Sequence, residues 1–242
     1  MSEGLLRSIG DVADALRLPV VEINLMHRAT AENDPFYDRI VREFYDSTQK
    51  PHPKLRVVKD FQIGMALCQL PGDFEAYLKM IEASARRNYK KAARMGYQFA
   101  PIRCDDHLLD IGEIRRSAEI RQGKMPDQFL GAELKPCANP ESRTRLHDYP
   151  YFGVMKDGKL TAYTGCLVAG EIFMIEQMFG HAAHQPDGVV PLLIIGMAGY
   201  MLGSYPNVRY YAYGTYFGAG ASMRRFKKKF MFLPHRVKWM LG

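Results

Sequence analysis

The chain has 242 residues, 47% hydrophobic and 24% charged, the balance of an ordinary globular protein long enough for one large or two small domains. Its formal net charge of +7 favours anionic partners: phosphates, nucleic acid, acidic lipid head groups or a nucleotide-bearing cofactor. The four cysteines, Cys68, Cys104, Cys137 and Cys166, form no CxxC pair and have no adjacent histidine cluster, which argues against structural zinc and for reduced thiols in a cytoplasmic protein.

The N-terminal stretch "MSEGLLRSIGDVADALRLPVVEI" interrupts its apolar residues with Arg, Asp and Glu before a secretory h-region can form. "PVVEINL" (19–25) reads as a buried strand and "DPFYDRIVREFYD" (34–46) as an amphipathic helix. After the turn-rich "QKPHPKL", residues 55–70 have the β-branched, partly alternating character of two short strands or a bent hairpin. A single helix is predicted from an Asp73 N-cap to a Gly96 stop. Phe74, Leu78, Ile81, Ala85, Tyr89 and Ala92 fall on one helical stripe. Arg86, Arg87, Lys90, Lys91 and Arg94 crowd its last turns, where cations suit the helix dipole and could equally face a phosphate.

"YQFAPIR" (97–103) follows as a strand, residues 105–123 as a helix, and the proline-rich 124–150 as irregular chain. From Tyr151 the pattern is strand, turn at Asp157-Gly158, strand, break at Gly170, strand; Asp-Gly between β-rich runs signals a hairpin. The apolar run "GVVPLLIIGMAGYMLG" (188–203) is shorter than the roughly 20 residues that span a bilayer, and reads as a helix buried on all sides. A short strand (208–214), a helix (218–229) and a strand (230–240) complete the chain. In the last helix Ala219, Met223, Phe226 and Phe230 share one side and the basic residues take the other, so this segment packs, with a cationic rim. Pro234 gives the final strand a bend or an edge position.

That order resembles the GNAT acyltransferase fold, nearest the branch that holds CelD-like proteins and the Fem-type aminoacyltransferases. Three stretches carry the resemblance: "YFGVMKDGKLTAYTGCLV", "MRRFKKKFMFLPHRV" and "ARRNYKKAARMGYQF". It covers about 74–103 and 151–240. It implies an α/β (α+β) fold with a mixed, mostly antiparallel central sheet flanked by helices on both faces. Residues 1–73 would be an N-terminal α/β extension packed on a 74–242 core, the whole forming one continuous globular unit.

The resemblance implies acyl transfer to a small-molecule amine acceptor, with acyl-CoA or a similar thioester as co-substrate and no tightly bound cofactor. An aminoacyl-tRNA donor is the alternative, a non-catalytic binding module on the same fold the third reading, and a homodimer is compatible with each. It places the donor beside Gly180, Gln185, Gly188 and Val189, where backbone N–H groups at a helix start can hold a pyrophosphate. "QPDGVV" departs from the family pattern: Val190 stands where a small residue is expected, Pro186 removes an N–H, and Asp187 brings an anion unless it caps the helix. Glu176 is the first candidate for the proton-accepting base, ahead of Glu171, although an ion-paired strand carboxylate reads equally well. His181 and His184 are suited to proton transfer near neutral pH, and with no third ligand they do not make a metal site. Tyr216 resembles the family's general acid, while Lys227 and Lys228 could stabilise developing charge. No Ser-His-Asp set, P-loop or dinucleotide fingerprint is present.

Overall fold

The computed structural model describes residues 17–29, 33–51, 59, 61–118, 136, 139–217 and 219–242. In chain order these form β1 (Val20–Asn24), α1 (Pro35–Gln49), β2 (Ile63–Gln69), α2 (Phe74–Met80), α3 (Ala83–Arg94), β3 (Gln98–Ile102) and α4 (Leu108–Arg116). There follow β4 (His147–Asp148), β5 (Tyr151–Lys156), β6 (Lys159–Ala169), β7 (Ile172–Gly180), α5 (Val189–Ser204), β8 (Tyr210–Thr215), α6 (Ala221–Lys229) and β9 (Leu233–Met240).

Among the described residues, all nine strands share one sheet, in the order β1-β9-β2-β8-β7-β6-β5-β3, with β4 pairing β6. Only β1–β9 and β7–β8 run parallel. The sheet is therefore mixed and mostly antiparallel, as expected. Residues before α2 contribute two of its strands, and β2 lies between β8 and β9. The predicted hairpin is present: Asp157 and Gly158 both take positive φ, 50° and 79°, and Lys156 faces Lys159. A two-residue turn of that kind matches the strand twist.

One face of the sheet packs on α2, α3, α5 and α6, with Tyr77, Ala85, Leu193, Ile194 and Phe230 fully or nearly buried among Phe152, Phe173 and Tyr211. The other face is covered by α1, through Val41 and Phe44, and by α4, through Ile111 and Ile114. Helix α5 has no polar stripe because it is enclosed: nine of its residues are buried, from Val189 to Met201.

The helix predicted over 73–96 is two helices. Asp73 caps α2, accepting from Ala76 N at 2.8 Å, but Ile81 and Glu82 are extended (ψ 158° and 142°). Ile81 is buried, Glu82 N donates to Lys229 O at 2.9 Å, and Arg225 grips the Glu82 carboxylate at 2.6 and 3.1 Å. The Arg86 guanidinium donates to the Leu78 and Ile81 carbonyls at 2.8 and 2.5 Å, closing the end of α2. Tertiary contacts to α6 thus override local propensity, and the apolar stripe continues across the break.

The 55–70 segment gives one strand, Ile63–Gln69, while 52–58 lie outside the described residues. The helix predicted to reach 123 ends at Arg116, followed by a turn and the undescribed stretch that begins at 119. Pro234 sits where β9 runs beyond its pairing with β1, which starts at Arg236, so it costs no ladder hydrogen bond on that side. Cys68 and Cys166 are free and buried. Cys104 is disulfide-bonded, which corrects the expectation of a reduced thiol at that position; Cys137 lies outside the described residues. Among the described residues no helix is long and apolar enough to cross a membrane.

Candidate active site at the strand divergence

Strands β7 and β8 pair through only three positions, Ile172–Tyr210, Phe173–Tyr211 and Met174–Ala212. Beyond Met174 the two part company, while β7 stays on β6 as far as Gly180. The divergence coincides with a β-bulge: Gly165 and Cys166 on β6 face Gln177 and Ile175, leaving Glu176 as the extra residue on β7. Bulges re-aim side chains and interrupt pairing, and this one leaves a length of β7 backbone without a neighbour on the β8 side.

The opening is a cleft of about 560 Å³. Met178 and Gly180 of β7 form one wall and Tyr213 of β8 the other; Val190 and Pro191 of α5, and Ser222, Met223 and Phe226 of α6, close its ends. Gly188 sets the start of α5 here. It has φ +92°, and a Cβ on it would lie 2.5 Å from the Asn88 carbonyl oxygen, so only glycine allows α3 and the helix start to meet. The first turn offers the Val189 and Val190 N–H groups; Pro191 has none, and Leu192 N is bonded to Gly188 O at 2.9 Å. Asp187 neither caps the helix nor faces the cleft. Its carboxylate accepts from the Tyr97 hydroxyl at 2.7 Å and lies 3.7 Å from Lys91 Nζ. The Gln185 amide donates to Gly180 O at 3.3 Å, closing the 3-10 turn Ala182–Asp187.

Glu176 is exposed and absent from the cleft wall. Its carboxylate accepts from the Tyr149 hydroxyl at 2.5 Å, beside Tyr151, whose ring centroid is 5.5 Å from that of Tyr149. Gly165 makes room for both rings: a Cβ there would lie 2.9 Å from Tyr151 and 3.0 Å from Tyr149. Both phenols are pushed up, first by burial and then by the Glu176 charge. Tyr149 and Tyr151 also line a second depression, of about 450 Å³.

The two histidines point elsewhere. His181 Nδ1 accepts from Ala183 N at 3.3 Å. His184 Nδ1 lies 2.7 Å from the Tyr97 oxygen, and neither ring is among the residues lining the cleft. The Tyr97 proton is spent on Asp187, so the imidazole carries its own proton on Nδ1 and leaves Nε2 as the basic nitrogen. Burial, then the neighbouring His181, hold His184 below the usual histidine range. No group of three or more His, Cys, Asp or Glu among the described residues is placed to hold a metal.

Tyr216 donates its backbone N–H to Gly64 O at 2.6 Å and packs against the core, outside the cleft lining. Tyr213, which the sequence reading did not single out, is the β8 tyrosine that reaches the cleft; the signal was its i+2 spacing from the buried Tyr211. Burial pushes its phenol up to about 12. Behind it, Lys227 is 5% exposed. Its ammonium donates to Thr215 O at 2.7 Å and stands 4.7 Å from the Tyr213 ring centroid. Burial lowers it to about 8. Lys228, its neighbour, is exposed. Gly180, Gln185 and Gly188 therefore meet at one cleft with Val189 buried at its helix start, Lys227 stands behind its wall, and Glu176 lies across the sheet.

No protein-family model matches this sequence, and no curated protein does. Among solved structures, FemX is 9% identical over 71% of this chain and 59% of its own, with a TM-score of 0.55. The C-terminal domain of a protein described as a lysylphosphatidylglycerol synthetase, from Agrobacterium fabrum, is 17% identical over 71% of this chain and 57% of its own, at a TM-score of 0.49. A tandem GNAT protein from the clavulanic acid biosynthesis pathway is 16% identical, covering 71% and 50%, at 0.44. The chain thus spans 59% of the length of FemX and 57% of that of the synthetase domain. With its parallel strands splayed beside a helix start, this chain has a GNAT-like fold, the fold it shares with FemX.

Proposed function

We propose that this chain is an acyltransferase that passes an activated acyl group to an amine. The observation that carries the reading is the parting of β7 and β8 after Met174, beside the start of α5. An extended donor arm fits along the unpaired edge of β7, where free backbone groups can hold it as a strand would be held. Its carbonyl then stands near the bulge at Glu176. The amine comes from the Tyr149 side, its nitrogen bonds to the carbonyl carbon, and Glu176 takes the proton it sheds. The carrier leaves with the pair of electrons of the broken bond. Lys227, charged below about pH 8, lies behind Tyr213, where a positive charge favours negative charge developing in the cleft. Aligning the two reactants supplies much of the acceleration, on the order of 7–11 kcal/mol.

An acyl thioester is the first carrier considered. An aminoacyl-tRNA is the second, favoured by the reduced anion cradle: two N–H groups at the start of α5, none on Pro191, and the Val190 side chain against Gly180. Thermal unfolding with acetyl-CoA, longer acyl-CoAs and charged tRNA tests both. A true donor at 100 times its dissociation constant adds about 2.7 kcal/mol of stability and releases its acyl group onto an added amine. The tRNA arm also predicts affinity that falls steeply with salt. Absence of stabilisation and of transfer with every donor would remove the reading.

A further inference from the structure

We infer that the acceptor is an alkyl diamine or polyamine, a primary amine bearing a second ammonium group, seated in the depression where Asp148 and Tyr149 meet. Its role as acceptor rests on the acyl-transfer reading; its binding does not.

The chain as a whole is cationic, at +7, yet this depression is not. Among the described residues, Glu141 and Asp148 line it against one cation, Arg103, whose Nε already lies 3.7 Å from Asp106. Asp148 is half-buried and accepts from the Tyr205 hydroxyl at 2.6 Å and Tyr149 N at 2.7 Å. Among the described residues, no Lys, Arg or His forms an ion pair with Asp148 or Glu141. A partly desolvated carboxylate without a countercharge is costly, and an arriving ammonium relieves that cost. Tyr37, Tyr149 and Tyr151, which also line the depression, have phenols pushed up by burial. Asp148 and Asp34 add to this at Tyr37, and Glu176 adds to it at the other two. The rings therefore stay neutral and offer their faces to a cation in a negative field. The wall is fixed, since the Tyr37 hydroxyl donates to Pro140 O at 2.7 Å.

Tyr149 sets the spacing. Its N–H is on Asp148 and its hydroxyl is on Glu176, so a carboxylate stands at either end of one tyrosine. A ligand with an amine at each end satisfies both, the inner nitrogen being the one presented for acylation. A monoamine satisfies one end only, and an amino acid brings a carboxylate into the same negative field.

The test is calorimetric titration of the full chain, without donor, at neutral pH and low salt, using cadaverine, pentylamine and free lysine. Cadaverine should bind at least about tenfold tighter than pentylamine, because it gains one more charge-assisted contact, and tighter than lysine. Asp148→Asn, whose single oxygen can still accept from Tyr149 N while its amide can donate to the Tyr205 oxygen, should abolish that preference, and Glu141→Gln on the exposed rim should weaken cadaverine severalfold. Equal binding of cadaverine and pentylamine, or a preference that survives Asp148→Asn, overturns the inference. Should Asp148→Asn fail to fold, unchanged cadaverine affinity in Glu141→Gln overturns it instead. Transfer onto monoamines with no diamine preference would sink this proposal and leave acyl transfer standing. Asp148-dependent cadaverine binding without transfer from any donor would do the reverse.

Discussion

Two side chains at the strand divergence have opposite surroundings, and each makes a separate prediction. Glu176 is exposed and held by one hydroxyl, that of Tyr149, so its removal costs the fold little. Glu176→Gln keeps an oxygen for Tyr149 and loses the base; transfer should fall by about 10²-fold or more, with thermal unfolding unchanged. Lys227 is the buried one. Burial lowers its ammonium to about 8 from the ordinary 10.5, so at pH 7 the folded state carries the full cost of that charge. The cost shrinks as pH rises through 8, because the folded state then sheds a proton that the unfolded chain keeps until about 10.5. Relative to Lys227→Met, the wild-type chain should therefore gain stability between pH 8 and 10.5, by about 3 kcal/mol in total. Urea unfolding of the two proteins across that range measures it. A difference that stays flat with pH would show that the ammonium is solvated.

At the scale of elements, the cleft depends on how α3, α5 and the 3-10 turn between β7 and α5 are locked together. Gly188 is the contact point, with the Asn88 carbonyl 2.5 Å from where a Cβ would stand. Gly188→Ala must strain a φ of +92° and push α3 away as well. It should cost about 1–3 kcal/mol and weaken donor binding more than acceptor binding, because the start of α5 moves while the Tyr149 face does not. Denaturant unfolding and separate titrations of donor and amine would separate the two effects. The Asp187–Tyr97–His184 chain of hydrogen bonds braces the same turn from outside, which makes these residues supports of the helix start and not parts of the cleft wall.

At the scale of the whole molecule, the sheet is closed by its own N-terminal part. β2 lies between β8 and β9, and β1 lies on the outer side of β9. A chain beginning at residue 74 would keep α6 and β9 but leave β8 and β9 with an empty strand position between them, exposing Met65-facing apolar surface of the core. Such a fragment should not fold cooperatively alone, and co-expression with residues 1–73 should restore the sheet. Circular dichroism and thermal melting of the fragment, with and without the N-terminal piece, check this. A stable, cooperatively melting 74–242 fragment would mean that β2 is dispensable.

What the sequence by itself determined was local. Asp157-Gly158 specified its hairpin because the turn geometry needs residues tolerant of positive φ. The run from Val189 announced an enclosed helix because no polar stripe interrupts it, and Phe74 to Ala92 kept one stripe that buries on the sheet. What only the tertiary structure decided was set by partners far along the chain. The break at Ile81 and Glu82 answers to Arg225 and Lys229, 143 residues on in the case of Arg225. Glu176 owes its setting to a bulge and to Tyr149, and Tyr213 became a cleft residue only because β7 turned away from β8. Periodicity records which face of an element is buried; it holds no information about which strand lies alongside or where two of them separate, since those are fixed by pairing free energies summed across the whole sheet.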